Sequence, residues 1–203
     1  PDCYVEKRIA NPRHIEVQCV ADNYGNYVAL GERECSIQRK YQKVVEEGPS
    51  PVVSPAERER LQRWALSILR EMGYNNAGTV EFLRDDDGHF YFMEVNARIQ
   101  VEHPVTEMIT GVDLVKTQLM IAMGEKLGIV QDDVTITGNA LELRIYAEDP
   151  LTFMPSPGTI TGIEFPELSD KVRLDHALEV GMKVSPFYDP MLAKLIVHDT
   201  SRH

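Results

Sequence analysis

The sequence has 203 residues, of which 43% are hydrophobic and 26% are charged, a balance typical of a globular protein with one large or two small domains. Its formal net charge of -11 argues against nucleic acid as a partner, because phosphate binding needs clustered Lys and Arg. The apolar runs are far shorter than the roughly 20 residues of a membrane-spanning helix, so no membrane contact is expected. Cys3, Cys19 and Cys35 form no close pair, which indicates a reducing compartment: the cytoplasm, or the mitochondrial matrix in a eukaryote.

The first predicted elements are a β-hairpin and a helix. Residues 14–21 and 27–30 follow the strand period, and residues 23–26 supply turn residues between them. A helix is predicted from Pro55 to about Glu71, with Ser54 as its N-cap and Glu57 completing a capping box. Its apolar stripe is expected to face the core and consists of Leu61, Trp64, Ala65, Ile68 and Leu69.

A second hairpin brings two acidic residues together. Residues 79–84 and 90–95 are strand-like, and Asp87 with Gly88 predicts a two-residue type I′ turn between them. In that register Glu81 lies directly opposite Glu94. The apolar neighbours expected on the same face are Leu83, Phe90 and Phe92. Because opposed like charges destabilise a sheet, a cation is expected between the two carboxylates, and magnesium suits such oxygen ligands.

Polar side chains occupy every second position from the end of this hairpin onward. They are Glu94, Asn96, Arg98, Gln100 and Glu102, and in an extended backbone all five would project to one side. The ordinary interpretation is a solvated strand face on which Arg98 bridges Glu94 and Glu102. The opposed Glu81 and the interleaved apolar residues indicate instead that these five side chains line one side of a functional site.

The remaining chain is predicted to contain one more helix and a set of short strands. The helix is expected from residue 111 or 112 to about Ala122, with Gly124 after its end. Short strands broken by prolines are expected from Asn139 onward. His103, which precedes Pro104, is interpreted as a residue that orients a loop rather than as a metal ligand.

The polar run resembles a known family signature. Residues 94–107, EVNARIQVEHPVTE, are closely similar to the signature of biotin carboxylases, the ATP-grasp subunits or domains of acetyl-CoA, propionyl-CoA, pyruvate and related carboxylases. Further family landmarks extend over nearly the whole chain: NPRHIE at 11–16, GER at 31–33, CSIQR at 35–39, QKVVEE at 42–47, AEDP at 147–150, PSPG at 155–158 and YDPM at 188–191.

The resemblance implies an α+β fold in two parts. Residues 1–127 would form the C-terminal half of an ATP-grasp domain, a mixed, largely antiparallel sheet with flanking helices. Residues 138–203 would form a truncated biotin carboxylase C-terminal subdomain. The implied activity is ATP- and bicarbonate-dependent carboxylation of biotin on a carrier protein, with Mg²⁺ or Mn²⁺ and a carboxyphosphate intermediate. The implied partners are a biotin carboxyl carrier, a carboxyltransferase and, at full length, a second copy of the chain.

The resemblance also implies the roles of individual residues. Those implied for ATP are Glu6, Lys7, Ile9, His14, Gln38, Tyr41, Glu81 and Glu94, and family members commonly carry a histidine where Tyr41 stands. Those implied for the metal ions are Glu81, Glu94 and Asn96, and those for bicarbonate are Lys43, Arg98, Gln100 and Val101. Glu102 is the implied base that deprotonates bicarbonate, and Arg144 is the implied residue beside the biotin ureido group. Arg98, Glu102, Lys43 and Arg144 form the implied catalytic set.

Two other classes of function stay open. An ATP-grasp ligase of the carbamoyl-phosphate-forming type would share the carboxylate pair, but it would lack Arg144 and the AEDP and PSPG segments. The other class is a non-catalytic domain that serves subunit contact or structure. Because the chain opens at Pro1, and the family's Gly-rich lid and ATP-phosphate lysines belong upstream, the chain is expected to be a fragment without turnover of its own.

Overall fold

The computed structural model describes residues 3–202, which form an α+β fold built on one large sheet. The elements in chain order are β1 Arg13–Ala21, β2 Tyr27–Arg39, β3 Gln42–Gly48, α1 Pro55–Glu71, β4 Asn76–Arg84, β5 Phe90–Asn96, α2 His103–Thr110, α3 Leu114–Ala122, β6 Asn139–Tyr146, β7 Gly158–Thr159, β8 Val172–His176, β9 Lys183–Val184 and β10 Met191–Asp199. Eight strands form the sheet in the order β5-β4-β1-β2-β3-β6-β10-β8, and β7 pairs with β9 in a separate ribbon. All these pairs are antiparallel, which confirms the predicted fold class.

Strand β1 separates an apolar core from a polar layer, because successive side chains of a strand point to opposite faces. Ile15 and Val17 pack in the core cluster that contains the buried side chains of α1. His14, Glu16 and Gln18 alternate with them and point to the other face, where α2 and α3 lie. All five side chains are buried, so the strand places polar groups inside the molecule.

Helix α1 forms as the local signals predict. It spans Pro55–Glu71, and Ser54 and Glu57 make both hydrogen bonds of the capping box. The prediction of its core stripe is wrong at Trp64, which is 40% exposed, whereas Leu66 is buried in the core cluster. The tryptophan lies at the border of the stripe, where its large ring reaches both core and solvent.

The predicted second helix is confirmed as α3, and a helix that was not predicted, α2, precedes it. Helix α2 begins directly after Glu102 and ends at Gly111, whose φ of 73° is left-handed. Helix α3 then begins at Leu114, and the side chain of Asp113 accepts a hydrogen bond from the backbone of Lys116 as its N-cap. Because a glycine with positive φ ends helices, Gly111 separates the two helices instead of starting one.

The turn between β4 and β5 is longer than predicted. The Gly88 N–H donates to the Asp85 carbonyl at 3.1 Å, and the Asp85 N–H donates to the His89 carbonyl at 3.0 Å. Strand pairing resumes at Arg84 and Phe90. The predicted two-residue turn is therefore wrong.

A bulge in β5 nevertheless restores the predicted register at the acidic pair. Phe82 pairs with Phe92, whereas the preceding residue Glu81 pairs with Glu94. Met93 is thus an extra residue on β5, which offsets the longer turn. The prediction that the two carboxylates oppose each other is confirmed.

The sheet is continuous along the chain, because β3 pairs with β6 through Val45 and Leu143. The division into domains of residues 1–127 and 138–203 stays a prediction. Within residues 3–202, no helix has the length and apolar character needed to cross a membrane.

Candidate active site

One cavity of about 950 Å³ on the polar face of the sheet gathers most of the predicted site residues. Those that line it are His14, Gln38, Tyr41, Lys43, Glu81, Glu94, Asn96, Arg98, Gln100, Val101, Glu102 and Arg144. Glu6, Lys7 and Ile9 do not line it. They belong to the irregular segment before β1, where Lys7 Nζ donates to the hydroxyl of Tyr91 at 2.7 Å.

The alternating polar residues reach this cavity in two different ways. Glu94 and Asn96 project from β5, but the strand ends at Asn96 and residues 97–102 are irregular. The prediction of one extended run is therefore wrong beyond Asn96. The chain turns before α2 and brings Gln100 and Glu102 back to the same cavity.

The apolar residues predicted beside the acidic pair divide between the two faces of the sheet. Leu83 lines the cavity together with Met93. Phe90 and Phe92 lie on the α1 side, where Phe90 packs against the core cluster and the ring of Phe92 lies 6.3 Å from that of Phe82. The bulge in β5 and the longer turn change which side chains share a face with Glu81.

Glu81 is surrounded by hydrogen-bond donors. Its Oε1 accepts from Lys43 Nζ at 3.0 Å, Asn96 Nδ2 at 3.0 Å and Gln100 Nε2 at 2.8 Å. His14 Nε2 lies 3.0 Å from Oε2. Burial alone would raise the pKa of Glu81, and the contacts with His14 and Lys43 bring that pKa below its ordinary value. The carboxylate is therefore ionised at neutral pH.

The amide of Asn96 bridges the two opposed carboxylates. Its Nδ2 donates to Oε1 of Glu81 at 3.0 Å and to Oε1 of Glu94 at 3.2 Å. Carboxylate oxygens of Glu81 on β4 and Glu94 on β5 therefore lie close to the same amide nitrogen. Mg²⁺ and Mn²⁺ prefer such carboxylate oxygens as ligands, so the residues present fit a divalent cation.

Lys43 is a partly buried cation among three carboxylates. Its Nζ donates to Glu16 Oε2 at 2.5 Å, Glu102 Oε1 at 2.7 Å and Glu81 Oε1 at 3.0 Å. Burial alone would lower the pKa of Lys43, but the surrounding negative charges raise it far above its ordinary value. Lys43 is therefore permanently charged, and all three of its N–H donors are engaged.

Glu102 lies between two cationic side chains. It is 2% exposed, and its Oε1 accepts from Lys43 while its Oε2 accepts from Arg144 Nη2 at 3.0 Å. The Nε of Arg144 donates to Oε1 of Glu46 at 2.7 Å. The carboxylate is thus fixed in orientation at the boundary between the lysine of β3 and the arginine of β6.

Arg98 differs from the other cations of the cavity. Among residues 3–202, no carboxylate lies within 4.0 Å of its guanidinium, which donates instead to Asn96 Oδ1 at 3.0 Å and to the Ile99 carbonyl at 3.2 Å. The interpretation in which Arg98 bridges Glu94 and Glu102 is therefore wrong. The exposed guanidinium retains N–H donors for an anion.

Arg33, which sequence reasoning did not select for a role, underlies the cavity. It is fully buried, and its Nε donates to Glu16 Oε1 at 2.6 Å. Its Nη1 donates to Gln18 and Thr106, and its Nη2 donates to Gln100 Oε1 at 3.1 Å. The available signal was a charged residue within a strand that is otherwise buried, since such a residue needs a buried partner.

Arg33 orients Gln100, which lines the cavity, and Glu16, which binds the cavity residue Lys43. Because Gln100 presents its oxygen to Arg33, its amide nitrogen points to Glu81. Because Glu16 presents Oε1 to Arg33, its Oε2 is left for Lys43. The buried guanidinium therefore sets the orientation of polar side chains at the cavity, although Arg33 does not line the cavity itself.

Comparisons with known proteins identify relatives along nearly the whole chain. Residues 1–130 match the family described as the carbamoyl-phosphate synthase L chain, ATP binding domain, and residues 142–203 match the biotin carboxylase C-terminal domain. The chain is 54% identical over 199 residues to the biotin carboxylase of Halalkalibacterium halodurans, covering 98% of this chain and 44% of that protein. It is 52% identical over 199 residues to biotin carboxylase 2 of Bacillus subtilis, covering 98% of this chain and 45% of that protein.

A solved structure has the same fold. The biotin carboxylase domain dimer of Hydrogenobacter thermophilus 2-oxoglutarate carboxylase, in complex with MgADP, ADP and bicarbonate, is similar with a TM-score of 0.94 and 50% identity. The match covers 97% of this chain and 43% of that one. The chain therefore spans less than half the length of these relatives.

Proposed function

The chain belongs to the biotin carboxylase family, and we propose that the complete protein carboxylates biotin on a carrier protein, using ATP and bicarbonate with carboxyphosphate as intermediate. The observation that carries this proposal is the position of Glu102, a buried carboxylate between Lys43 and Arg144. Arg98, which has no carboxylate partner among the described residues, lines the same cavity. A proton acceptor thus lies beside one arginine that suits bicarbonate and another that suits biotin.

The first proposed step needs a base, because bicarbonate attacks a phosphoryl group well only after it loses its proton. Glu102 is the proposed acceptor of that proton, and its contacts with Lys43 and Arg144 fix the orientation of its carboxyl group. Arg98 binds the bicarbonate oxygens through a planar pair of N–H donors. Gln100 and the backbone of Val101 complete this subsite, and the charge of Lys43 stabilises the anion.

ATP is proposed to bind between β1, the β2–β3 turn and the acidic pair. Burial alone would lower the pKa of His14, and its contacts with Glu16 and Glu81 raise it to about 9, which gives a positive charge suited to phosphate. The residues proposed to complete the nucleotide site are Glu6, Lys7, Ile9, Gln38 and Tyr41. Glu81, Glu94 and Asn96 would hold a divalent ion, which when bound neutralises charge on the γ-phosphate.

Arg144 is proposed to face the biotin ureido group. It lies in the segment that matches the biotin carboxylase C-terminal domain, and it lines the cavity beside Glu102. Its guanidinium would stabilise the enolate oxygen that forms when the phosphate released from carboxyphosphate takes the N1 proton of biotin. The proposed partners are a biotin carboxyl carrier, a carboxyltransferase and a second copy of the complete chain, in the cytoplasm or the mitochondrial matrix.

The carbamoyl-phosphate-forming alternative has one finding in its favour, the match of residues 1–130 to the ATP binding domain of that synthase. It gives no reason for Arg144 in the cavity, or for the match of residues 142–203. A non-catalytic role gives no reason for the ion pairs of Lys43 and Glu102 around an open cavity. Biotin carboxylation accounts for both halves of the chain.

The test uses the complete protein with labelled bicarbonate, MgATP and free biotin. Glu102→Gln should reduce both bicarbonate-dependent ATP hydrolysis and labelled carboxybiotin by about 10²-fold or more, because it removes the base. Glu71→Gln, an exposed change at the end of α1, is the control and should leave both rates near wild type. Wild-type carboxybiotin formation by Glu102→Gln would refute the assignment of the base.

A further inference from the structure

Two buried glutamates lie opposite each other beside the cavity. Glu46 on β3 pairs with Glu142 on β6 in the antiparallel register, and both are 0% exposed. Oε1 of Glu46 accepts a hydrogen bond from Arg144 Nε at 2.7 Å. The other three carboxyl oxygens of the pair are buried, and none has a hydrogen-bond partner among residues 3–202.

Two ionised carboxylates are unfavourable in this position. Like charges directly opposite each other destabilise a sheet, and a buried ionised group without partners loses its hydration. Burial is the main cause that raises the pKa of Glu46 to about 7 and that of Glu142 to about 8, and the neighbouring charge of Glu102 raises both further. A single proton held by the pair removes the conflict, because a protonated carboxyl neutralises one charge and supplies an O–H donor.

The groups that face the pair come from every neighbouring element. The titratable ones are Arg144 from β6, Lys194 from β10, Glu16 from β1, Glu102 at the N-cap of α2 and, beside these two carboxylates, the thiol of Cys35 from β2. Helix α2 itself covers this region with the apolar Val105 and Ile109. Burial raises the pKa of the Cys35 thiol, so it stays neutral. Because Arg33 and Lys43 bind Glu16, and Lys43 also binds Glu102, the cations that face the glutamate pair itself are Arg144 and Lys194.

Both cations hold parts of the proposed site. Arg144 binds Glu102 through Nη2, and Lys194 Nζ donates to the backbone carbonyl of Val101 at 2.9 Å. Lys194 also lies 3.4 Å from Asp175 Oδ2 on β8. A second negative charge on the glutamate pair would attract both cations away from these partners.

We propose that Glu46 and Glu142 share one proton and act as positioning residues for Arg144. With the proton present, the pair carries one negative charge, which binds Nε of Arg144 and leaves Nη2 with Glu102. When the proton leaves, the second carboxylate competes with Glu102 for the guanidinium. The effect on biotin rests on the proposed function, whereas the sharing of the proton does not.

Infrared spectroscopy of the 203-residue chain tests the shared proton. At about pH 7.5, between the two raised pKa values, the chain should show the C=O band of a protonated carboxyl, and this band should disappear as the pH rises to about 9. Glu142→Gln should remove the band, because Glu46 alone is then held as an ion by Arg144. Glu47→Gln is the control on the same strand, since Glu47 pairs with Arg202 instead. A wild-type chain without the band at the lower pH overturns the proposal, and so does a band that Glu142→Gln leaves unchanged.

The pH profile of the complete protein tests the positioning role. Wild-type biotin carboxylation should fall about tenfold at about pH 9 relative to about pH 7, because one unit above a pKa of about 8 leaves about one tenth of the groups protonated. Biotin-independent, bicarbonate-dependent ATP hydrolysis should lack this loss. Glu142→Gln should flatten the alkaline decline, and Glu47→Gln should keep it.

The two experiments separate this inference from the proposed function. An alkaline decline that Glu142→Gln leaves unaltered overturns the positioning role of the pair. A protein that never carboxylates biotin at any pH refutes the proposed function, and the infrared band then still decides whether the proton is shared.

Discussion

Replacement of Arg33 by methionine should destabilise the chain strongly. Methionine keeps an unbranched apolar stem but removes the N–H donors of the guanidinium. Arg33 Nε holds Glu16 at 2.6 Å, and its two other nitrogens hold Gln18, Thr106 and Gln100. All these groups are buried, so water cannot replace the lost donors without opening the fold.

The expected decrease in the free energy of unfolding is about 3 to 5 kcal/mol, the range for removing one partner of a fully buried ion pair. Glu16 Oε1 and Gln100 Oε1 lose their donors, although Oε2 of Glu16 keeps its bond to Lys43. The hydroxyl of Thr106 can rotate and adds less. Small domains have free energies of unfolding of roughly 5 to 15 kcal/mol, so the variant should still fold but with a much smaller free energy of unfolding.

Urea denaturation followed by circular dichroism and by fluorescence of the single tryptophan, Trp64, measures this loss. Arg202→Met is the matched control, because Arg202 also binds a carboxylate with two nitrogens, on Glu47, but at the surface. The control should leave the midpoint near wild type, since exposed pairs contribute little. If Arg33→Met shifts the midpoint no further than Arg202→Met does, the buried network does not support the fold.

Three further predictions concern the metal site and local packing. Glu81→Gln and Glu94→Gln should each weaken manganese binding in calorimetric titrations, because each removes a charged ligand, and unchanged binding in both would remove the metal assignment. Gly48→Ala should lower stability by about 1 to 3 kcal/mol in thermal unfolding, because its Cβ would lie 2.7 Å from Cγ1 of the buried Val105, and a neutral result would contradict this close packing. Ser54→Ala should cost about 1 kcal/mol in the same assay, since it removes the side chain that caps α1, and Ser54→Thr should retain most of that stability.

Features set by neighbouring residues could be predicted from the sequence. Helix α1 starts where Ser54, Pro55 and Glu57 place it, because capping depends on residues within one turn of each other. Helix α3 was predicted, but α2 was not, although Pro104 near its start and Gly111 after its end carry local signals for it. His103 and the following Pro104 were assigned to a loop instead.

The opposed acidic pair was predicted correctly from an incomplete description of the hairpin. A two-residue turn and a regular strand give the same pairing of Glu81 with Glu94 as the observed longer turn and the bulge at Met93. The difference appears in Phe90 and Phe92, which point to α1 instead of to the carboxylates. A bulge has no reliable signal in one sequence, since it depends on the pairing of both strands.

The buried contacts that hold the site residues in place could not be predicted, because they join residues that are far apart in the chain. Arg33 meets Gln100 and Thr106, and Glu46 meets Glu142 only through the pairing of β3 with β6. The order of strands in the sheet decides these contacts. Residue types alone indicate that buried charges need partners, but they do not identify the partners.

A comparison of Arg98 and Arg144 variants tests the proposed mechanism most directly. Carboxybiotin formation and ATP hydrolysis are measured in the complete protein with labelled bicarbonate, MgATP and biotin. Arg144→Ala should lower carboxybiotin formation by about 10²- to 10³-fold while keeping much of the slow, biotin-independent ATP hydrolysis, since Arg144 acts only when the biotin enolate forms. Arg98→Ala should lower both activities, because it removes the bicarbonate subsite. Lysine at either position should not restore full activity, because an ammonium lacks the planar fork of donors. If Arg144→Ala abolished the biotin-independent hydrolysis as completely as Arg98→Ala, both arginines would belong to the phosphate and bicarbonate site, and the assignment of Arg144 to biotin would be wrong.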